Sequence, residues 1–133
     1  MPMSAAPLIR LIAASVVLSS SAAYASEFIG NVENGKALFI DNSCAACHGV
    51  TKADTAMVGP SLFGVVGRKA GTSPSLLGAS RGLKEFGVIW NAETLDVFLA
   101  DPDAQVPGTP MVGKLVDPQQ RADVIAYLAT LKD

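Results

Sequence analysis

Three stretches of helical apolar spacing, each entered through a capping residue, predict an all-α fold. No alternating apolar and polar run is long enough for a strand. A third observation sets the character of the fold. Eight of the 12 glycines lie between Gly49 and Gly87, so the middle of the chain is mostly loop. At 133 residues the chain makes one small domain at most, and it contains no internal repeat.

The first segment is an address rather than part of that domain. Residues 1–25 carry a single charge, Arg10, followed by an apolar run through Leu11, Ile12, Val16, Val17 and Leu18. Ala23-Tyr24-Ala25 then fits a signal-peptidase cleavage pattern. The run is too short to span a membrane comfortably. The expectation is a cleaved secretory signal, leaving residues 26–133 as the domain, with no stable membrane insertion afterwards. Export implies an oxidising compartment, most simply a bacterial periplasm.

The first helix is expected over about Val32–Asp41, with Asn31 as its cap. Val32, Gly35, Leu38 and Phe39 share one face. A second follows Asn91 and carries Leu95, Phe98 and Leu99 on one side. Pro102 should stop it, because the residue before a proline avoids the helical region. The last starts at Asp117, with Pro118 in its first turn and Gln120 placed to complete a capping box. Its apolar stripe is Val124, Ile125, Leu128 and Leu131.

Composition excludes several classes. Net charge is −2 and charged residues are 17% of the chain, which fits neither a disordered acidic tail nor a basic nucleic-acid binder. Two cysteines and one histidine fall short of a four-ligand zinc site. A domain this small and this rich in loops needs something beyond its own core to hold it together. One disulfide across so short a loop as Cys44 to Cys47 would remove little chain entropy. A bulky cofactor is the better staple.

Cys44-Ala45-Ala46-Cys47-His48 supplies one. C-x-x-C followed directly by His is the attachment pattern of a c-type haem. On a helical turn, residues three apart lie on one side, so two thiols can reach two vinyl groups of one porphyrin. The next residue then offers an imidazole to the iron. A thioredoxin-like redox pair would need βαβ patterning, which is absent here. A structural disulfide would have no use for His48, and zinc would lack a fourth ligand.

The sixth iron ligand follows by elimination. There is no second histidine, and Met1 and Met3 fall in the leader. Met57 follows His48 too closely to reach the opposite porphyrin face easily, and reads as core filler. Met111 lies in Val106-Pro107-Gly108-Thr109-Pro110-Met111, a loop stiffened by two prolines. It completes the His/Met pair common in c-type haem proteins.

These motifs, taken in order, resemble class I cytochrome c, the mitochondrial protein and its soluble bacterial relatives. The likeness runs from about Gly30 to Lys132. It covers Gly35-Lys36-Ala37-Leu38-Phe39, the Cys-His motif, Gly59-Pro60-Ser61-Leu62 and Gly64-Val65-Val66-Gly67-Arg68-Lys69-Ala70-Gly71. It continues through Gly87-Val88-Ile89-Trp90, Thr94-Leu95, Pro107-Gly108-Thr109-Pro110-Met111 and Arg121-Ala122-Asp123-Val124-Ile125-Ala126-Tyr127-Leu128. The resemblance implies that the first and last helices cross closely at Gly35, with Phe39 and Tyr127 packed there. It implies that the Pro60 carbonyl accepts from the His48 ring, and that Arg68, Trp90 and Thr109 bond the haem propionates. Phe98 stands where the family often has a tyrosine near the methionine sulfur. The Ser75-Leu76-Leu77-Gly78 stretch lacks the tyrosines that often reach a propionate. Ser43, Asp103, Ala104 and Pro110 replace several lysines that ring the haem edge in mitochondrial members.

The function expected is that of a periplasmic one-electron carrier with one covalent haem, working between redox-partner proteins as a monomer. It is not expected to be an enzyme, since its one histidine serves the iron. The nearest alternative is a dedicated cytochrome partner of one periplasmic dehydrogenase. From a different class, a peroxidase or gas sensor would require Met111 to leave the iron.

Overall fold

The Asn31 side chain accepts a hydrogen bond from the Asn34 N–H at 2.8 Å and so starts helix α1, Val32–Asp41. The computed structural model describes residues 29–133, and the leader expected at 1–25 lies outside them. Helix α1 is followed by a 3-10 turn, Cys44–Ala46. After a long irregular stretch come α2 (Arg81–Phe86), α3 (Ala92–Ala100), α4 (Pro102–Gln105) and α5 (Pro118–Ala129). No strand occurs among the described residues. Extended pairing there amounts to one bridge between Lys69 and Ile89. The fold is the all-α one expected, with two short helices that the apolar spacing did not announce.

Two details of the helix ends differ from expectation. Pro102 does interrupt α3, but it also begins α4. Asp101 is extended, with φ −158°, and its carboxylate accepts from the Ala104 N–H at 3.3 Å. A proline in the first turn has no N–H to leave unpaired, so a second helix starts where the first stops. At α5, Asp117 accepts from the Gln120 N–H at 3.0 Å as expected. The return bond from the Gln120 side chain is not formed. The glutamine that engages is Gln119, which donates to the Ile29 carbonyl at 2.9 Å and to Asp123 at 2.8 Å. The closed capping box belongs to α3, between Asn91 and Thr94.

The core forms where α1 and α5 cross. Phe39 and Tyr127 meet there with ring centroids 5.6 Å apart and planes at 58°. Tilted contact of this kind suits the ring quadrupoles. Gly35 makes the approach possible: a Cβ at that position would fall on the Asp123 backbone carbonyl. Asp123 is itself buried, and its carboxylate accepts from the Asn31 N–H at 2.8 Å as well as from Gln119. It thereby satisfies a donor at the start of α1, where an anion also suits the helix dipole. A second aromatic group joins α2 to α3. Trp90 and Phe98 meet edge to face at 5.0 Å, with Phe86 beside both. The buried apolar side chains, from Phe39 to Leu128, keep between 2% and 9% of their surface exposed.

Because the crossing admits no side chain, Gly35→Ala should destabilise the holoprotein by about 1–3 kcal/mol, the usual cost of overpacking. Gly113→Ala, where an added Cβ meets nothing within 4 Å, should change stability by only a few tenths of that. Guanidinium titrations followed by far-UV circular dichroism compare the two.

Candidate functional site

The Cys-His motif begins where α1 ends. Asn42 and Ser43 donate to the carbonyls of Leu38 and Ile40 at 2.9 and 3.0 Å, closing the helix. Ser43 then adopts φ 60°. It is the one non-glycine left-handed residue among those described. That reversal turns the chain into the 3-10 turn. There, Cys47 and His48 donate their N–H groups to the Cys44 carbonyl at 3.1 and 2.9 Å. The sequence pointed to a helical turn, and the tighter 3-10 form delivers it. Both cysteines are unbridged, Cys44 half-buried and Cys47 exposed. Burial pushes the Cys44 thiol above its ordinary value, so it stays protonated at neutral pH.

His48 is fixed by its neighbours. Its Nδ1 lies 2.7 Å from the Pro60 carbonyl oxygen. A carbonyl can only accept, so Nδ1 carries the proton and the free lone pair is on Nε2. Burial also lowers the imidazole below its ordinary value, against the opposing pull of Pro60. Burial, the larger of the two, favours a neutral ring whose Nε2 lone pair is free to ligate a metal. Gly59 makes room for this: its N–H donates to the Cys47 carbonyl at 2.8 Å, and a Cβ there would press on the ring.

From Pro60 the chain leads to Arg68 and Trp90. The Arg68 guanidinium donates to the Phe63 carbonyl at 2.8 Å and to the Ser61 carbonyl at 2.6 Å. Trp90 pairs with the same segment through its backbone, its N–H donating to the Arg68 carbonyl at 2.9 Å and its carbonyl accepting from the Gly67 N–H at 2.7 Å. Thr109 and Met111 form a separate group. The Met111 N–H points to Thr109 Oγ1 at 3.3 Å, and both residues line a shallow cleft with Asp101 and Lys114. That cleft includes none of Cys44, Cys47, His48, Pro60, Arg68 or Trp90. The half-buried Met111 packs on the core cluster that contains Trp90 and Phe98. Met57, expected as core filler, does not join that cluster, and its carbonyl accepts from the Leu76 N–H at 2.7 Å instead.

This donor set has the chemistry for a large anionic cofactor. Arg68 is a half-buried cation, lowered by desolvation, yet among the described residues no carboxylate lies within salt-bridge distance of it. An arginine stays charged at any physiological pH, so a desolvated one calls for an anion. Ser75 Oγ is likewise buried without a hydrogen-bond partner among the described residues. Nor do three His, Cys, Asp or Glu side chains gather anywhere in the described structure as a metal-ion site would require. Two thiols, a metal-ready imidazole and a cation in want of an anion suit a haem, which meets each group at a different atom.

The Cytochrome c family model matches residues 32–132. The chain belongs to the cytochrome c family. It is 44% identical over 114 residues to a cytochrome c2 of Rhodopseudomonas palustris, covering 74% of this chain and 96% of that protein. A cytochrome c2 of Rhodomicrobium vannielii is 43% identical, covering 92% of this chain and 93% of its own. The cytochrome c of Sesamum indicum is also 43% identical, with 74% and 88% covered. Among solved structures, cytochrome cH from Methylobacterium extorquens superposes with a TM-score of 0.65 at 40% identity, covering 76% of this chain and 99% of that one. As a cytochrome c the protein carries one covalently bound c-type haem and serves as an electron carrier.

In this cytochrome the tightest constraint on the imidazole is Gly59. A Cβ there would sit 2.7 Å from His48 Cε1 and 2.8 Å from Nδ1, closer than atoms in contact allow. Gly59→Ala should displace the ring, lengthen its bond to Pro60 and lower the yield of holoprotein. Shifts of the His48 ring protons in the NMR spectrum of the reduced protein measure the effect, and unmoved resonances would refute it.

Proposed function

We propose that the protein is a periplasmic one-electron carrier in which Cys44 and Cys47 would hold the haem through thioether bonds and His48 and Met111 would ligate its iron. Pro60 orients His48, and Arg68, Trp90 and Thr109 bond the propionates. The observation that carries this reading is the 2.7 Å bond from His48 Nδ1 to the Pro60 carbonyl, made by a residue one peptide beyond two free thiols on a single 3-10 turn. When bound, the haem supplies one-electron exchange between ferric and ferrous iron.

The chain's own residues set the terms of that exchange. The bond to Pro60 raises the basicity of Nε2 and fixes the ring plane. Arg68 brings a fixed positive charge, held by two carbonyls, toward the propionates. Packing of Trp90 against Phe98 and Phe86 excludes water from the crevice wall, and low polarity favours the less charged redox state. Phe98 has no hydroxyl to offer the methionine sulfur, so Met111 is held by packing and by its loop. The protein is a carrier rather than an enzyme, because its single histidine is the proposed ligand and no imidazole remains for acid–base catalysis.

Periplasmic location rests on the leader pattern in residues 1–25. The described residues include no helix long and apolar enough to cross a membrane. The partners are redox proteins, met through a surface unlike the lysine ring of mitochondrial members. Ser43, Asp103, Ala104 and Pro110 are all exposed where those lysines would stand.

Intact mass spectrometry of the secreted protein should give residues 26–133 plus one haem, retained through acid–organic extraction. Cys44→Ala or Cys47→Ala should sharply reduce holoprotein. Met111→Ala should abolish the weak far-red sulfur–iron absorption and lower the potential, whereas Met57→Leu should leave both unchanged. The reverse pattern would move the ligand to Met57. A second measurement concerns docking. Residues 26–133 carry nine basic and twelve acidic side chains, so long-range steering toward an acidic partner is weak. Stopped-flow electron transfer should depend only shallowly on ionic strength, and a steep fall in rate with salt would overturn this.

A further inference from the structure

The segment between α4 and α5 carries Met111, and its own backbone holds it loosely. Residues 110–116 have no regular structure, and Val112 is 97% exposed. An added Cβ at Gly113 would meet nothing within 4 Å. What fixes the segment comes from elsewhere. On the side before Met111, the Gly108 N–H donates to the Asp103 carboxylate at 2.9 Å, and Val106 is buried. On the side after it, Leu115 is buried and its N–H donates to the Leu99 carbonyl of α3 at 2.8 Å.

Arg121, in the first turn of α5, adds the longest reach. Its NH1 group donates to the carbonyls of Leu115 and Val116 at 3.0 and 2.8 Å. Its Nε donates to Asp96 Oδ1 of α3 at 2.7 Å. The Arg121 side chain is only 12% exposed, although Asp96 and the Val116 carbonyl lie at the surface. One guanidinium thus joins two helices and the exit of the methionine loop. A lysine could not do so, since its single ammonium lacks the planar fork that faces a carboxylate and two carbonyls at once.

We propose that Arg121, braced by Asp96, is the positioning residue that holds the Met111 sulfur in place for ligation. It touches neither haem nor iron, and it acts by fixing the backbone four and five residues beyond the sulfur-bearing one. The proposal rests on Met111 being the iron ligand. With no tyrosine hydroxyl at Phe98, the strength of the sulfur–iron contact depends on how firmly this loop is held. Freeing Leu115 and Val116 lets the segment swing outward, and an outside ligand then competes more easily.

The test is imidazole binding to the ferric holoprotein, followed by loss of the far-red sulfur–iron absorption. Arg121→Gln and Arg121→Lys should each raise imidazole affinity about tenfold, the equivalent of one charge-assisted hydrogen bond. Asp96→Asn, which leaves the arginine but loosens its brace, should raise it severalfold. Val124→Ala removes core packing from the same helix while leaving the three hydrogen bonds of Arg121 in place. It should lower the guanidinium unfolding midpoint yet leave imidazole affinity within about twofold of the parent. If the Arg121 variants gain no more affinity than Val124→Ala, the residue is merely structural and the proposal is overturned. Should Arg121→Gln yield no holoprotein, Arg121→Lys and Asp96→Asn decide by the same comparison. Met111→Ala is run alongside: retention of the far-red band there would overturn the ligand assignment, and the clamp with it, independently of what Arg121 does.

Discussion

Everything in this molecule hangs from the crossing of α1 and α5 at Gly35. The C-terminal end of α1 runs straight into the turn that bears Cys44, Cys47 and His48. The N-terminal end of α5 carries Arg121, which grips the chain beyond Met111. The proposed ligands His48 and Met111 are therefore both tied to this one packed helix pair. The missing side chain at Gly35 lets the helix backbones touch, and the Asp123 carboxylate bonds back to the cap of α1 at the same place. A rigid crossing suits a carrier, because electron transfer favours a site whose geometry changes little between redox states.

The polar interior follows a consistent rule. Buried polar side chains mostly find partners in backbone groups or in one well-placed side chain. Arg121 has Asp96 and two carbonyls; Asp123 has an N–H and an amide. Arg68 differs in its charge balance, holding two carbonyls but, among the described residues, no carboxylate. In the proposed site Arg68 faces the haem propionates, where an incomplete charge balance is useful. A cation prepared in advance costs no reorganisation when the cofactor is seated, and it shapes the potential the iron feels.

Much of this was legible in the sequence, and the parts that were not share a physical cause. Local signals served well. Asn31, Asn91 and Asp117 mark helix starts because capping is a matter of three or four neighbouring residues. The Cys-His motif names its cofactor because the chemistry needs those residues at that spacing. Helix α2 escaped notice because six residues with Gly82 inside give too little periodicity to read. The second role of Pro102 was hidden because a stop signal and a first-turn signal look alike. Spacing points to Gln120 for a capping box, whereas the Ile29 carbonyl and the Asp123 carboxylate engage Gln119 instead. Arg121, Asp123 and Ser75 were silent as individuals. Their meaning comes from partners 25 residues away in one case and 92 in another, and from the absence of any partner in the third.

The separation between Asn31 and Asp123 has a consequence for how the molecule is made. A chain is synthesised from its N-terminus, and α1 finds its partner only when residues 118–129 exist. Closing so long a loop is also slow compared with forming a single helix, because distant contacts must overcome chain entropy before they reward it. During that interval α1 has no surface to pack against. The turn beyond it is unscreened by tertiary structure, and its two thiols face solvent from all sides. Such openness is what a flat, bulky porphyrin needs to approach both sulfurs at once, so the order of assembly, as well as the spacing of the motif, favours attachment before the last helix docks.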